Sequence, residues 1–199
     1  RTGCYRRSFV IPKEYMERDI FVEFGGVESC FYLWINGQEA GYSQDSKLNA
    51  EFNITPYVRE GENTIAVKVL QYCDGSWLED QDYWHLYGIY RDVRIIARPR
   101  VRIQDFKVET LFDHDDFSKC RLSVMIHPRW DVDGFGDWKV RLTLYDSEKN
   151  PVTTWQTRPF SQYPSYLWPP RYVAYTETII EDPKLWTAET PVLYTLVLE

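Results

Sequence analysis

Short hydrophobic segments, separated by turn residues, recur along the whole chain and predict β-strands. Their apolar residues are mostly β-branched or aromatic, and polar residues stand between them, as in strands that bury one face. In the first half of the chain the predicted strands are residues 6–11, 19–24, 30–35, 51–54, 64–70 and 89–97. No window holds the i, i+3, i+4, i+7 spacing over three helical turns, so the pattern predicts an all-β protein.

Turn residues between these segments predict how the strands connect. Asn36-Gly37 separates two apolar runs, and because both residue types tolerate positive φ, this pair is the strongest short signal for a hairpin. Gly25-Gly26 and Glu60-Gly61-Glu62 predict further turns. Residues 41–47, just after the hairpin signal, have the polar composition of an ordinary loop.

Arg98-Pro99-Arg100 is the predicted boundary between two domains. After it, the predicted strands are residues 101–111, 120–127, 138–145, 152–157, 173–180 and 192–198. Six short strands in about 100 residues are typical of an immunoglobulin-like β-sandwich. The segments between them include an acidic turn at 113–116, a Gly/Asp loop at 131–137 and an aromatic, proline-rich stretch at 158–172. That last stretch is either a contact surface or a rigid connection.

Composition excludes several classes of protein. The 199 residues include 23 Lys and Arg against 30 Asp and Glu, a net charge of -7, so the basic face of a nucleic-acid-binding protein is not expected. No apolar run approaches the roughly 18–20 residues of a membrane span, and no membrane partner is expected. With 44% hydrophobic residues, the chain can bury a core.

Aromatic and cysteine residues each leave two interpretations open. The aromatic content of 17% suits both a β-sheet core and a surface on which sugar rings stack. Cys4, Cys30, Cys73 and Cys120 are widely spaced without a metal-binding pattern, so we interpret them as free and mainly structural. Free thiols favour a cytoplasmic location, while a periplasmic or secreted one stays open because the chain starts at Arg1 without a leader.

An acidic segment at 74–84 is the densest cluster of polar chemistry. Its four carboxylates are Asp74, Glu79, Asp80 and Asp82, and Trp77 and Trp84 flank the last three of them. Carboxylate oxygens are the ligands that hard cations prefer. Carboxylates beside indole rings are also typical of sugar-binding sites. The alternative is an acidic loop that is simply exposed to solvent. Were residues 80 and 82 on a strand, their carboxylates would lie on one face about 6.5–7 Å apart. Retaining glycosidases place two carboxylates across the scissile bond, so this segment is not expected to be catalytic by itself.

These segments make the chain resemble glycoside hydrolase family two, and in particular the sugar-binding domain of bacterial β-galactosidases. The resemblance rests on Phe-Gly-Gly-Val-Glu-Ser at 24–29, Leu-Trp-Ile-Asn-Gly at 33–37, Gly-Tyr-Ser-Gln-Asp-Ser at 41–46, Glu-Phe-Asn-Ile-Thr at 51–55, Gly-Glu-Asn at 61–63, the acidic segment, and Gly-Ile-Tyr-Arg-Asp-Val at 88–93. Residues 183–194 resemble the end of that family's second domain. Leu-Glu-Asp-Gln-Asp at 78–82 favours the β-galactosidase branch over the glucuronidase and mannosidase branches.

The resemblance implies a fold and a set of site residues. The fold is a truncated jelly-roll, galactose-binding-like β-sandwich at 1–98, followed by an immunoglobulin-like β-sandwich at 99–199 whose last strand is missing. Asp82 is expected to contact the galactosyl group and Na⁺, and Trp84 to form a wall of the pocket. Gln44 and Asp74 are expected to be partial ligands of a Mg²⁺ site whose other ligands precede this chain. Trp186 is expected to plug the core of the second domain.

Four residues near Asp82 depart from the family pattern as we expect it: Trp77, Tyr83, His85 and Tyr87. The larger aromatic side chains among them predict a narrowed or reshaped sugar pocket.

The implied function is that of a non-catalytic part of a retaining β-galactosidase that hydrolyses terminal β-D-galactosyl residues. In the family both catalytic glutamates belong to a (β/α)₈ barrel, which is expected after residue 199 and is the expected partner domain. The chain alone is therefore expected to be inactive, to bind β-galactosides and cations weakly or not at all, and to form a homo-oligomer through open sheet edges. A free-standing carbohydrate-binding module, a structural or oligomer-forming module, and a parent acting on another β-glycoside are the alternatives.

Overall fold

A computed structural model describes residues 1–80, 82, 84–129, 137–163 and 173–199. Within them the chain forms fifteen β-strands and four short 3-10 helices, which confirms the all-β prediction. The chain divides into two compact units, Arg1–Arg100 and Val101–Glu199, here called unit 1 and unit 2.

Unit 1 contains nine strands. They are β1 (Thr2–Ile11), β2 (Asp19–Phe24), β3 (Val27–Glu28), β4 (Cys30–Ile35), β5 (Gln38–Gln44), β6 (Ala50–Asn53), β7 (Gly61–Leu70), β8 (Gly88–Ile89) and β9 (Val93–Arg98). Three 3-10 helices connect them: η1 (Lys13–Tyr15), η2 (Thr55–Tyr57) and η3 (Asp74–Trp77). A four-stranded sheet has the order β1-β7-β4-β5, a three-stranded sheet has the order β6-β2-β9, and β3 pairs with β8. All these pairings are antiparallel.

The core of unit 1 lies between its two larger sheets. Buried residues of β2 on one side and of β4 and β7 on the other belong to one hydrophobic cluster. At its centre Phe24, Phe31 and Phe52 form a ring cluster with centroid separations of 4.7 to 6.3 Å. Gly41 on β5 leaves room for this cluster, because a Cβ there would lie 2.5 Å from the Phe52 ring.

The predicted hairpin at Asn36-Gly37 is confirmed. The two residues connect β4 to β5 with φ angles of 50° and 81°. Positive φ at both central positions is what a tight hairpin turn requires. The prediction of a loop at 41–47 is wrong up to Gln44, because these residues belong to β5. Polar side chains hid this strand, which lies at the edge of its sheet and is half-exposed.

The predicted strand at 89–97 is interrupted. Its ends form β8 and β9, which belong to different sheets, and residues 90–92 between them are not in a strand. Tyr90 and Arg91 instead make contacts that position the candidate site described below.

Unit 2 contains six strands and one 3-10 helix: β10 (Ile103–Asp113), β11 (Asp116–Pro128), β12 (Arg141–Tyr145), β13 (Pro151–Gln156), η4 (Phe160–Gln162), β14 (Ala174–Glu181) and β15 (Thr195–Leu198). They form two three-stranded sheets, β10-β11-β14 and β13-β12-β15. Apolar residues of β11 and β14 pack with those of β12 in a separate hydrophobic cluster. Each unit therefore has its own β-sandwich core.

Two expectations in unit 2 need correction or lie outside the described residues. Trp186 is not a core plug, since 59% of its surface is exposed and it lines an open apolar cavity of about 550 Å³ within this unit. It lies between β14 and β15 in an irregular segment, which leaves its ring at the surface. Residues 131–136 of the Gly/Asp loop and 164–172 of the aromatic, proline-rich stretch are outside the described part.

Candidate functional site

The acidic segment begins as a compact turn after β7. Asp74–Trp77 forms η3, with Cys73 as its N-cap residue, and the Cys73 backbone N–H donates to Ser76 Oγ at 3.0 Å. The backbone N–H groups of Leu78 and Glu79 both donate to the Gly75 carbonyl. Neither Asp80 nor Asp82 lies in a strand, so the strand geometry assumed for this carboxylate pair is wrong.

Glu79 attaches this segment to the loop after β5. Its carboxylate accepts hydrogen bonds from the Ser46 backbone N–H, at 3.1 and 3.3 Å, and from the Ser46 hydroxyl, at 2.5 Å. Ser46 is almost fully buried, so these bonds satisfy polar groups that water does not reach. Glu79 therefore positions the acidic segment, a role that the sequence pattern did not indicate.

The loop after β5 is itself held from several sides. The Tyr90 hydroxyl donates to the Ser46 carbonyl, and Arg91 donates to the carbonyls of Gly25 and Lys47 at 3.0 and 2.9 Å. The Lys47 ammonium lies 3.5 Å from the Glu28 carboxylate and 5.4 Å from the centre of the Tyr90 ring. These contacts explain why the motifs at 24–29, 41–46 and 88–93 belong together.

Asp80 and His85 border a small cavity beside the acidic segment. Their side chains lie 3.4 Å apart, and the His85 ring contacts the ring of Tyr72. The cavity has a volume of about 220 Å³, and its walls include Tyr72, Trp77, Glu79, Asp80 and His85. Carboxylates, an imidazole and an indole around one cavity can bind a ligand that carries hydroxyl groups.

The two predicted substrate-binding residues lie at the surface of unit 1. Asp82 is exposed, as are 83% of the surface of Trp84 and 84% of that of Trp77. Of the other unusual residues, Tyr87 packs against the core of unit 1, and Tyr83 lies outside the described residues. Large exposed indoles are what stacking on a sugar or packing against another domain requires.

The two predicted magnesium ligands, Gln44 and Asp74, both lie beside Gly75 of η3. The Gln44 side chain lies 3.6 Å from the position that a Cβ on Gly75 would take, and the Gly75 N–H donates to the Asp74 carboxylate at 3.0 Å. Gln44 Oε1 accepts a hydrogen bond from the Tyr42 hydroxyl at 2.9 Å. Desolvation raises the pKa of Tyr42, so its phenol remains a neutral donor.

A carboxylate oxygen and an amide oxygen are the ligand types that a hard divalent cation prefers. Mg²⁺ commonly binds through one or two carboxylates and keeps several waters. They do not complete a site. Among the described residues no three His, Cys, Asp or Glu side chains lie close enough together to hold a metal ion.

Comparison with known proteins assigns the chain to a family. Residues 1–99 match the profile of the sugar-binding domain of glycosyl hydrolases family 2, and residues 101–199 match a second profile of the same family. The chain belongs to glycosyl hydrolase family 2. The two family 2 profiles together cover every residue of the chain except Arg100.

The curated relatives of this family 2 chain include bacterial β-galactosidases. The chain is 41% identical over 98% of its length to a β-galactosidase of Priestia megaterium, and 38% identical over 99% of its length to one of Yersinia pestis. It spans only 18% and 19% of the length of these two proteins. The chain therefore corresponds to a small part of such enzymes.

Solved structures of family 2 enzymes have the same fold. A Bifidobacterium dentium β-glucuronidase matches with a TM-score of 0.79 at 20% identity, covering all of this chain and 36% of that one. Bacteroides uniformis β-glucuronidase 2 matches with a TM-score of 0.78 at 25% identity, covering 98% of this chain and 24% of that one. In the part of the chain that the structure describes, no helix is long and apolar enough to cross a membrane.

Proposed function

We propose that this chain is a non-catalytic part of a retaining β-galactosidase, a protein that hydrolyses terminal β-D-galactosyl residues. The observation that carries the proposal is the 38–41% identity to β-galactosidases over 98–99% of the chain. The two β-glucuronidase structures compared above are only 20% and 25% identical to it. Two proteins with 20–25% sequence identity can share a fold without acting on the same substrate.

In this proposal the acidic segment faces the substrate. Asp82 contacts the galactosyl group and is one ligand of a Na⁺ ion, and Trp84 forms a wall of the sugar pocket. Both side chains are exposed in unit 1, which leaves them accessible to groups from outside the chain. Glu79 supports them by holding the segment against Ser46.

Gln44 and Asp74 contribute two of the ligands of a Mg²⁺ ion. Bound there, the cation would neutralise the Asp74 carboxylate and connect the end of β5 to η3. Their exposed position agrees with a site that shares its remaining ligands with water or with residues outside this chain.

The reaction itself needs residues from outside this chain. A retaining glycosidase uses two carboxylates about 5–5.5 Å apart across the scissile bond. In the acidic segment, Glu79 and Asp80 are already engaged by Ser46 and His85. We infer that the partner of this chain is a catalytic barrel in the same protein, that the protein is a homo-oligomer, and that it is cytoplasmic.

A free-standing carbohydrate-binding module is the second candidate function. The observation that favours it is the cavity of about 220 Å³ between Tyr72, the exposed indole of Trp77 and the Asp80–His85 pair. Such a module would bind a sugar without any further domain.

The test compares the 199-residue chain with the same reading frame extended to the length of its relatives. We expect a chromogenic β-galactoside to be hydrolysed by the longer protein only, and a β-glucuronide by neither. Asp82→Ala in the longer protein should lower kcat/KM by at least about tenfold, corresponding to about 1.4 kcal/mol of lost binding to the transition state. Asp115→Ala, at an exposed aspartate of unit 2, is the matched control.

Turnover by the short chain would contradict the proposal, as would a longer protein that prefers the β-glucuronide. The carbohydrate-binding alternative requires that the short chain bind galactosides by itself. Isothermal titration of galactose into the short chain and into its Trp77→Ala variant measures that binding directly.

A further inference from the structure

The hairpin between β4 and β5 contains a pair of residues with its own chemistry. Asn36-Gly37 is the one Asn-Gly pair among the five asparagines of the sequence. In such a pair the backbone nitrogen of the glycine can attack the side-chain carbonyl carbon of the asparagine, because glycine has no Cβ to hinder the approach. Gly37 is exposed, so water has access to this turn.

Three hydrogen bonds fix the side-chain amide of Asn36 in the folded protein. Its Nδ2 donates to the Tyr57 carbonyl at 2.9 Å and to Asn63 Oδ1 at 2.8 Å, and its Oδ1 accepts from the Thr64 N–H at 2.9 Å. All three partners lie outside the turn, in η2 and β7. The attack makes the amide carbon tetrahedral and expels Nδ2, so it cannot proceed without breaking both hydrogen bonds that Nδ2 donates.

The partners of Asn36 are themselves held in place by the fold. Asn63 is almost fully buried, and its amide donates to the carbonyls of Arg59 and Gly61 at 2.7 and 2.9 Å. The backbone N–H of Asn36 donates to the Thr64 carbonyl at 2.8 Å. The surroundings of Asn36 therefore exist only while β7 and η2 are folded against the end of β4, and an unfolded chain lacks them.

We propose that Asn36 is a deamidation site that the folded unit 1 protects and that unfolding of this unit exposes. The backbone nitrogen of Gly37 bonds to Cγ of Asn36 and gives up its proton. The bond from Cγ to Nδ2 breaks, ammonia leaves with that proton, and a cyclic succinimide remains. Water then opens the ring at either of its two carbonyl carbons, which yields aspartate or isoaspartate. Water is the only co-reactant.

Both products conflict with the folded turn. An ionised aspartate at position 36 has no side-chain N–H, so the Tyr57 carbonyl and Asn63 Oδ1 lose this donor and face carboxylate oxygens instead. Isoaspartate carries the main chain through its side chain, which adds one carbon atom to the backbone of the two-residue turn. Loop length fixes the register of a hairpin, so the added atom conflicts with the pairing of β4 and β5.

The consequence is that unfolding of unit 1 becomes irreversible with time. A chain that refolds before Asn36 reacts regains its hairpin, whereas a chain that stays unfolded for longer is modified and loses the contacts of the turn. The observations that carry this inference are contacts within unit 1, so it does not depend on the proposed function.

The experiment incubates the 199-residue chain at mildly alkaline pH over a series of urea concentrations. Mass spectrometry of its peptides measures the conversion of each asparagine, and hydrogen exchange of β4 and β7 measures the unfolded fraction of unit 1. In the unfolded chain Asn36 should convert faster than Asn49, Asn53 and Asn63. Without urea its rate should be at least about tenfold lower, because modification of an opened state follows the population of that state. Between these limits the rate should rise with the unfolded fraction.

Leu33→Ala and Leu142→Ala form a matched pair of control variants, because each leaves a void in a different core. We expect Leu33→Ala to raise the rate at Asn36 without urea severalfold and Leu142→Ala to leave it unchanged. Asn36→Asp supplies one product directly and should unfold at a lower urea concentration than the unmodified chain.

Three results would overturn the proposal. The first is an equal rate at Asn36 in the folded and the unfolded chain. The second is a rate at Asn36 in the unfolded chain that does not exceed that at Asn49. The third is a urea midpoint of the deamidated chain, and of Asn36→Asp, that equals that of the unmodified chain. The urea series tests protection even where Leu33→Ala fails to fold.

Discussion

Single polar residues hold the segments of unit 1 in place. Asn63, almost fully buried, donates from its amide to the carbonyls of Arg59 and Gly61, and accepts from Arg59 N–H and from the Asn36 amide. Asn36 in turn accepts from the Thr64 N–H and donates to the Tyr57 carbonyl. The sequence identifies Asn36 only as a hairpin-turn residue. In the structure its side chain also connects the end of β4 to β7 and η2.

Glu79 is the residue where a single substitution should test the site most directly. Glu79→Ala removes the acceptor for two buried donors of Ser46. Leaving buried donors without a partner costs about 1–3 kcal/mol. We expect urea unfolding of unit 1 to show a loss of this size, and hydrogen exchange of the Ser46 amide to accelerate.

Two further variants separate the contribution of the hydrogen bonds to Ser46 from that of the negative charge of Glu79. Glu79→Gln keeps one acceptor oxygen and should recover part of the loss. Ser46→Ala removes only the hydroxyl and should cost less than Glu79→Ala. Equal stability of Glu79→Ala and the unmodified chain would mean that Glu79 does not position the acidic segment.

At the scale of elements, hairpin turns of unit 2 are held by aspartates. Asp146 follows β12, and its carboxylate accepts from the backbone N–H groups of Glu148 and Asn150, both at 2.9 Å. These hydrogen bonds, led by that from Asn150, lower the pKa of Asp146. Asp116 at the start of β11 has a lowered pKa because Ser118 donates to it. The predicted acidic turn at 113–116 is confirmed as the connection between β10 and β11.

A pH dependence follows from the lowered pKa of Asp146. Its folded-state pKa is below its unfolded-state value of about 3.9, so the unfolded state binds more protons as the solution becomes acidic. The stabilisation is present above that value and is lost as the pH falls through the folded-state pKa. We expect Asp146→Asn to destabilise unit 2 at about pH 7 and to have a smaller effect near pH 3.

Thermal unfolding of the unmodified chain and the variant at both pH values measures this difference. Asp115→Asn, an exposed aspartate in the other turn, is the matched control. A destabilisation by Asp146→Asn of the same size at both pH values would contradict the expected dependence.

At the scale of the whole molecule, two separate hydrophobic clusters serve the two units. Leu33 on β4 is fully buried in the cluster of unit 1, and Leu142 on β12 is fully buried in that of unit 2. The family profiles divide the chain at nearly the same place, with residue 100 between them.

Cavity-creating substitutions should therefore act on one unit each. Leu142→Ala should destabilise unit 2 by about 2–5 kcal/mol, and Leu33→Ala should do the same to unit 1, because each leaves a void in a close-packed core. Hydrogen exchange followed by mass spectrometry measures both units in one experiment. Each variant should lose amide protection mainly in its own unit, and an equal loss in both units would contradict separate cores.

The sequence by itself determined the all-β class, the hairpin at Asn36-Gly37 and the family. These features depend on local patterns: alternation of side chains along a strand, turn residues that tolerate positive φ, and short motifs that can be read without contacts. Polar strands at a sheet edge escaped this reading, as β5 did, because hydrophobic alternation weakens where neither face is fully buried.

Only the tertiary structure decided which distant residues meet. Ser46 and Glu79 are 33 residues apart, and Asn36 and Asn63 are 27 apart. Strand pairing brings such residues together, and pairing depends on the register of whole strands rather than on any local pattern. The same pairing placed Gln44 beside the start of η3. Trp186, which was expected in the core, lies at the surface in the irregular segment between β14 and β15.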